Sequence, residues 1–156
     1  MGEILPREIH AVLIPVSGTR LLLPNATVAE IAQLADVEKI DGAPSWLLGR
    51  LPWREHMIPL VSFARMTGVN ALDETRQARV IVLKTLDDRD GVMTHIGLLA
   101  QGLPRLTTIT SDLLVRTDDG SRLLPGTTAH VLVRSDQAII PDLHWIEAKV
   151  AQSLAA

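Results

Sequence analysis

The sequence contains no cysteine and no tyrosine, and its aromatic residues are three Trp and one Phe. Without cysteine the chain can form neither a disulfide nor a thiolate metal site, which fits a reducing compartment. With so few rings, the core must be built mainly from Leu, Ile, Val and Ala, which supply most of the 47% hydrophobic content. The same scarcity leaves few aromatic side chains on which nucleobases stack.

An excess of positive charge and long apolar segments are also missing. The net charge is −3 at pH 7, whereas nucleic-acid binding needs a basic face. No apolar run approaches the roughly 18 residues of a membrane span. The first ten residues do not combine a basic region with a long apolar one, as a secretory signal does. We therefore expect a cytoplasmic protein that binds no nucleic acid and does not insert into a membrane.

Sequence signatures of catalysis and metal binding are absent as well. The five histidines stand at 10, 56, 95, 130 and 144, without the close spacing that zinc sites usually show. Ser17 is not in a nucleophile elbow, because Pro15 occupies the first glycine position of G-x-S-x-G. Glycine-rich phosphate-binding motifs are not found either. We predict no catalytic residue, no metal ligand and no cofactor.

What the sequence does contain is a series of short apolar runs separated by turn residues. The runs HAVLIPV and TRLLLP are separated by Ser17-Gly18, which predicts a β-hairpin. ARVIVLKTL and VMTHIGLLAQG predict a second antiparallel pair across the acidic turn DDRDG at 87–91. LPRLTTI, HVLVRS and QAIIP predict further strands. Because βαβ alternation is absent and the length fits one domain, the pattern favours a mainly all-β sandwich or small barrels.

Three segments are less uniform than these strands. Residues 25–34 fit either a short helix with an N-cap or the start of a strand. The C-terminal segment predicts an amphipathic helix that begins after Asp142, with its apolar face formed by Leu143, Ile146, Val150 and Leu154. Trp46 and Trp53 flank an aliphatic segment, where they fit either core packing or anchors that face a partner.

Residues 49–68, GRLPWREHMIPLVSFARMTG, resemble the signature segment of the CheW-like family of chemosensory coupling proteins. That segment carries a Gly, an apolar stretch, Asn-Leu-Arg-Gly and an Ile/Val-rich run with a Pro. The positions that match in order are Gly49, Arg54, Ile58, Pro59, Leu60 and Val61. Val28, Glu30 and Ile31 match the family's Val-x-Glu-Ile segment, and ARVIVLK, GLLAQGLPRL and QAIIPDLHWI resemble its later strands and closing helix.

The sequence also departs from the family pattern. Pro52-Trp53-Arg54-Glu55 stands where Asn-Leu-Arg-Gly is usual, and Ser62 replaces an Asp. A glutamate brings a side chain and a charge to a position where the family has neither, so we expect Glu55 and Ser62 to alter the kinase contact. Such departures resemble the accessory, ChpC-like branch that serves pilus-linked chemosensory systems and twitching motility.

The resemblance implies one CheW-like domain over residues 1–156, built from two small five-stranded β-barrels packed together with a C-terminal helix. It implies an adaptor that couples the cytoplasmic tip of a chemoreceptor to the regulatory domain of a CheA-type histidine kinase, without enzymatic activity. The partner-binding residues that it implies are Val28, Glu30, Ile31, Trp53, Arg54 and Leu99.

Two questions remain open at this point. Val28, Ile31 and Leu99 fit either a partly exposed apolar surface that receives a receptor helix or a fully buried core. Arg54 fits either a structural role, in which it reaches a carboxylate such as Glu30, or a partner contact. The main alternative function is a β-barrel module that binds a peptide or ligand outside chemosensing, and an unrecognised enzyme is the third.

Overall fold

The computed structural model describes residues 8–68, 76–86, 93–121 and 123–155. The described residues form eleven strands, two α-helices and one 3₁₀ turn. The strands are β1 (Ile9–Val16), β2 (Thr19–Pro24), β3 (Val28–Gln33), β4 (Leu47–Trp53), β5 (His56–Val61), β6 (Arg79–Lys84), β7 (His95–Ala100), β8 (Arg105–Ile109), β9 (Leu114–Arg116), β10 (Thr127–Val133) and β11 (Asp136–Pro141). The 3₁₀ turn is Asn25–Thr27, and the helices are α1 (Phe63–Met66) and α2 (Leu143–Ala155).

The strands form two sheets. The first has the order β8-β1-β2-β11-β10-β9, and the second has the order β3-β6-β7-β5-β4. The predicted β1–β2 and β6–β7 pairs are both antiparallel neighbours. The mainly β architecture with a C-terminal helix is confirmed. The first sheet contains six strands rather than five, because the three-residue strand β9 pairs with β10.

The continuous apolar run in β1 is explained by burial on both of its faces. Val12, Ile14 and Val16 belong to a core that also contains Ile81 and Leu98 of the second sheet. Ala11 and Leu13 of β1 belong to a separate core inside the first sheet. A third core lies inside the second sheet. Because successive side chains of a strand point to opposite faces, β1 contributes to two of these cores and links them. We call the core between the two sheets, which contains Val12, Ile14, Val16, Ile81 and Leu98, the shared core.

Helix α2 packs against the shared core as its pattern predicts. The Asp142 Oδ1 atom accepts a hydrogen bond from the backbone N–H of Trp145 at 3.1 Å, which satisfies a free donor in the first turn. Ile146 and Val150 are buried, and Leu143 and Leu154 pack against the same core. Glu147 Oε1 accepts a hydrogen bond from the backbone N–H of Leu86, which follows β6 of the second sheet. The helix therefore contacts both sheets.

Two local features differ from the sequence interpretation or resolve it. Residues 25–34 contain a 3₁₀ turn followed by β3 rather than an α-helix. The short helix α1 was not predicted; the Ser62 hydroxyl accepts a hydrogen bond from the N–H of Arg65 at 3.4 Å at its start. Ser62 is only 2% exposed, so its side chain does not itself face a partner, and its expected effect on the kinase contact stays a prediction. The predicted turn at 87–91 lies outside the described residues.

Asp118 holds the connection between β9 and β10. Its carboxylate accepts hydrogen bonds from Arg116 and from the backbone N–H groups of Gly120 and His130. The hydrogen bond with Arg116, followed by the one from His130, lowers the pKa of Asp118 to about 2 from its ordinary value of 3.8. A lowered carboxyl pKa stabilises the folded state at any pH above the ordinary value, and this contribution disappears as the pH falls through the folded-state value.

We therefore expect Asp118→Asn to lower the melting temperature at pH 6, because the amide cannot replace the charged acceptor. At pH 2 the difference between variant and wild type should become much smaller, since the wild-type carboxylate is then substantially protonated. Thermal unfolding followed by circular dichroism at both pH values measures this change. A difference in melting temperature that is the same at pH 6 and pH 2 contradicts the assigned role.

Candidate functional site

The edge strand β3 of the second sheet carries apolar side chains that reach the surface. They lie on the face of the sheet that points toward the shared core. Cross-strand partners in an antiparallel pair project to the same face. Val28 pairs with Leu83 and Ile31 pairs with Ile81, and both partners belong to the shared core. Val28 is half-buried, whereas Ile31 is 46% exposed. The strand β3 has no neighbour on its outer side among the described strands, which leaves Ile31 accessible.

The first sheet has an equivalent feature on its own edge strand, β8. Leu106 pairs with Val12 of the shared core and is 72% exposed. Leu103, just before β8, is 68% exposed. The 3₁₀ turn that leads into β3 contacts β1, the strand that pairs with β8. We call Val28, Ile31 and Leu106 the apolar rim, because each lies at the edge of a sheet on the face of the shared core.

Leu99 is not part of this rim. It is 4% exposed and pairs with Val80 in the core inside the second sheet. The neighbouring residue Leu98 has the opposite orientation and belongs to the shared core. Of the two alternatives for Leu99, the buried core is therefore the one that the structure shows, and its assignment as a partner-binding residue is corrected, because a difference of one position along a strand moves a side chain to the other face.

Trp53 is buried as well, at 6% exposure, within the core of the second sheet. Its indole Nε1–H donates a hydrogen bond to Glu30 Oε2 at 2.7 Å, which satisfies the one polar group of the ring. The prediction that Trp53 itself contacts a partner is corrected by this burial. The ring instead links β4 to β3 and supports the residues around it.

Arg54 stands at the first turn position between β4 and β5, with the left-handed φ angle of 55°. Its guanidinium lies over the Trp53 ring, 4.6 Å from the centroid, and its Nη2 is 3.8 Å from Glu30 Oε1. The contact with Glu30 matches the structural role that the sequence suggests for Arg54. The Arg54 side chain is still 65% exposed and that of Glu30 is 43% exposed, so both also remain accessible to a partner.

Trp53 and Arg54 border an open hollow of about 530 Å³, which we call the hairpin hollow. It is lined by Ala29, Trp53, Arg54, Glu55, His56, Lys84 and His95. The His95 ring stacks at a tilt on Trp53, with a centroid distance of 4.5 Å. Within the described ranges, His, Asp and Glu side chains do not gather in a group of three that could hold a metal ion. Charged groups on a rigid aromatic support suit the binding of a polar surface.

The backbone and the side chain of Arg54 make opposing contributions to stability. A left-handed conformation costs a non-glycine residue about 1–2 kcal/mol, while exposed ion pairs contribute about 0–1 kcal/mol. We expect Arg54→Ala to destabilise the protein by about 1 kcal/mol, because alanine retains the strain and loses the contacts with Trp53 and Glu30. Arg54→Gly should be more stable than Arg54→Ala by about 1 kcal/mol, as measured by urea unfolding. Equal stability of the two variants contradicts this assignment.

The comparisons with known proteins agree with this architecture. The model of the CheW-like domain family matches residues 10–148. Among solved structures, the chain is similar to the scaffolding protein TtCheW from Thermoanaerobacter tengcongensis, with a TM-score of 0.74 and 16% sequence identity. That alignment covers 94% of this chain and 92% of the other. No curated protein matches the sequence.

Within the described part of the chain, no helix has the length and apolar character that crossing a bilayer requires. The resemblance drawn from residues 49–68 is confirmed by the family match, which extends over most of the sequence. The fold similarity to a solved scaffolding protein of that name agrees with it. The chain therefore belongs to the CheW-like domain family.

Proposed function

We propose that the protein is a cytoplasmic chemosensory adaptor, which holds a chemoreceptor tip beside the regulatory domain of a CheA-type histidine kinase and catalyses no reaction. The observation that carries this proposal is the apolar rim, where Ile31 and Leu106 are exposed at the edges of two different sheets. Membership of the CheW-like family and similarity to a scaffolding protein support it.

The apolar rim is suited to the receptor side of such an adaptor. Large apolar side chains at the border of a core release water when a partner covers them, at about 25 cal/mol per Å² of buried apolar surface. An amphipathic helix gains this free energy when its apolar face packs on such residues. We assign Val28, Ile31 and Leu106 to this contact.

The hairpin hollow is suited to the kinase side. Arg54 offers a planar guanidinium that binds carboxylates or backbone carbonyls through two parallel hydrogen bonds. Met57 of β5 is 49% exposed next to this turn and adds an adaptable apolar contact. Two separate surfaces allow one small domain to bind two partners at once.

The adaptor acts through position rather than chemistry. Holding two partners on one scaffold raises their effective concentration without any new reaction. A receptor conformation that favours one arrangement of the complex then changes the equilibrium between the conformations of the kinase. The size of this change is the coupling free energy between the two partners. The buried cores between and within the two sheets supply a rigid connection for this purpose.

Glu55 bears on whether this protein is a principal coupler or an accessory one in a pilus-linked system. It is an exposed residue at the β4–β5 turn, where the family usually has glycine. A carboxylate that becomes buried in an interface without a partner weakens binding. We expect Glu55→Gly to strengthen binding to the kinase regulatory domain by about tenfold, measured by isothermal titration calorimetry, while leaving receptor binding unchanged. Weaker binding after this substitution would mean that Glu55 itself makes a favourable contact.

Two binary binding experiments test the proposal as a whole. The purified protein is titrated separately with a receptor-tip fragment and with the regulatory domain of a CheA-type kinase from the same organism. Binding to both supports the adaptor role. Binding to neither, with a folded protein, contradicts it and favours a peptide- or ligand-binding module outside chemosensing.

A further inference from the structure

A second polar cluster lies at one end of the first sheet, where two arginines contact one carboxylate and a third arginine lies at the neighbouring turn. Arg105 Nη2 donates a hydrogen bond to Asp136 Oδ2, and Arg20 Nη1 is 3.8 Å from Asp136 Oδ1. Arg134 Nη2 donates to the backbone carbonyl of Thr108 at 3.3 Å. The cluster therefore joins the starts of β2, β8 and β11 to the turn after β10.

Arg105, Arg134 and Asp136 border a cleft of about 430 Å³ between β8 and the β10–β11 turn, which we call the arginine cleft. Arg20 lies beside Asp136, outside this lining. It is lined by Leu13, Arg105, Leu106, Thr107, Thr108, Val133, Arg134, Ser135 and Asp136. Leu13 and Val133 are buried apolar residues, while the threonine and serine hydroxyls add hydrogen-bonding groups. The cleft thus combines an apolar base with a charged and polar border.

The charge of this cluster is opposite in sign to that of the whole protein. The three guanidinium groups and the single carboxylate sum to +2, since arginine is always protonated. The chain carries a net charge of −3. The side chains of Arg20 and Arg105 are 47% and 61% exposed, and Arg134 is exposed. The positive patch is consequently a local feature that attracts an anion, and one carboxylate does not neutralise it.

The arginines also retain donors for a ligand. A guanidinium has five N–H groups, and the contacts within the described residues engage one nitrogen of each arginine. Arg134 has the left-handed φ angle of 59°, a conformation that costs a non-glycine residue free energy. The hydrogen bond to the Thr108 carbonyl holds its guanidinium beside β8, where its remaining donors are available at the border of the cleft.

The neighbouring surface indicates which kind of anion fits. β8 is an edge strand, paired only with β1 among the described strands, and an edge strand can accept an extended peptide. The side chains of Arg105 and Thr107 share the face of Leu13 in this cleft, whereas Leu106, the partner of Val12, lies on the opposite face of the strand. A small inorganic anion would leave the edge of β8 unpaired, whereas an extended peptide with acidic and apolar side chains would pair with that edge, cover the apolar base of the cleft and neutralise the arginines.

We infer that the arginine cleft binds an acidic, partly apolar peptide segment of a partner protein, whose carboxylates pair with Arg105 and Arg134, while Arg20 adds positive charge beside Asp136. This inference does not depend on the proposed receptor and kinase contacts. It assigns a function to two arginines, Arg105 and Arg134, that neither the family resemblance nor the apolar rim uses.

A fluorescently labelled peptide of alternating Glu and Val, eight residues long, tests this inference by anisotropy with the full-length protein. The corresponding Gln and Val peptide is the neutral probe, and inorganic phosphate is the competing free anion. We expect the acidic peptide to bind, the neutral peptide to bind at least about tenfold more weakly, and the binding to weaken as salt is added.

Substitutions that remove positive charge distinguish binding in the arginine cleft from general electrostatic attraction to the protein. Arg105→Gln combined with Arg134→Gln should weaken acidic-peptide binding by at least about tenfold. The matched control combines Lys39→Gln with Arg76→Gln, two exposed residues outside the cleft, and should change it by less than about twofold. Asp136→Asn should strengthen binding several-fold, because it removes the internal competitor for Arg20 and Arg105.

Three results would overturn the inference, provided that circular dichroism shows folded variants. The first is equal loss of binding in the control and in the cleft variant, which would indicate a non-specific charge effect. The second is equal binding of the neutral and acidic peptides. The third is displacement of the peptide by phosphate at concentrations comparable to that of the peptide, which would identify a simple anion site.

Discussion

Replacing Ile31 with Asp is expected to abolish capture of a receptor-tip fragment while the melting temperature changes by only a few degrees. Ile31 is 46% exposed on an edge strand, so the new carboxylate remains hydrated in the free protein. In the complex the same carboxylate would be buried against apolar surface, where an unpaired charge costs several kcal/mol. A loss of binding of about 100-fold or more follows from this difference.

Val115→Asp is the matched control for this experiment. Val115 is a β-branched residue on the edge strand β9 and is 54% exposed, but it lies outside the apolar rim. The substitution adds the same charge at a similar exposure and should leave receptor binding unchanged. If a folded Ile31→Asp variant retains binding, the apolar rim is not part of the receptor contact. If both variants lose binding equally, the effect of the added charge is not local to the rim.

Gly49→Ala should cause a large loss of stability, although it adds only a single methyl group. The bridge between Glu38 and Arg50 joins the chain after β3 to β4 through two backbone hydrogen bonds, at 2.7 and 2.8 Å. A Cβ at Gly49 would lie 2.4 Å from the carbonyl oxygen of Glu38 and 2.6 Å from Val37 Cγ1. The carbonyl belongs to that bridge, so the clash cannot be relieved by a side-chain rotation alone.

The backbone of Gly49 adds to this cost, because its φ angle of 147° is one that other residues rarely adopt. We expect destabilisation by about 3 kcal/mol or more, which corresponds to a decrease of roughly 6–12 °C in melting temperature for a domain of this size. Differential scanning calorimetry measures it directly.

Gly42→Ala provides the comparison for Gly49→Ala. Gly42 also has a positive φ angle, 75°, but a Cβ there would meet nothing within 4 Å. Its replacement should cost only about 1 kcal/mol, from the backbone conformation. If the two variants are equally stable, the close approach of β4 to the segment after β3 does not contribute to stability as described.

The elements of the fold were predictable where local signals agreed with each other. Ser17-Gly18 between two apolar runs indicated the first hairpin, and the apolar spacing after Asp142 indicated α2. The helix α1 was missed because its four residues are too few to show a periodicity. Residues 25–34 were ambiguous because an apolar residue at every third position suits a helix. In the folded protein this segment pairs with β6, and that pairing makes it a strand.

The candidate site was predicted less completely than the fold. Val28, Glu30, Ile31 and Arg54 lie at the surface or border it, whereas Trp53 and Leu99 are buried. The distinction depends on strand register, which hydrophobicity cannot supply when both faces of a strand are apolar. Leu106 was overlooked for the related reason that its exposure follows from the edge position of β8, and the order of strands is not encoded in any local pattern.

The central claim, that this protein joins a receptor tip to a kinase, is tested most directly by a bridging experiment. An immobilised receptor-tip fragment is incubated with the regulatory domain of a CheA-type kinase from the same organism, with and without the protein, and the retained kinase domain is quantified. The account predicts that kinase retention increases when the protein is added, that Val115→Asp supports the same increase and that Ile31→Asp abolishes it. Equal retention with and without the wild-type protein, although each partner is folded, would contradict the account.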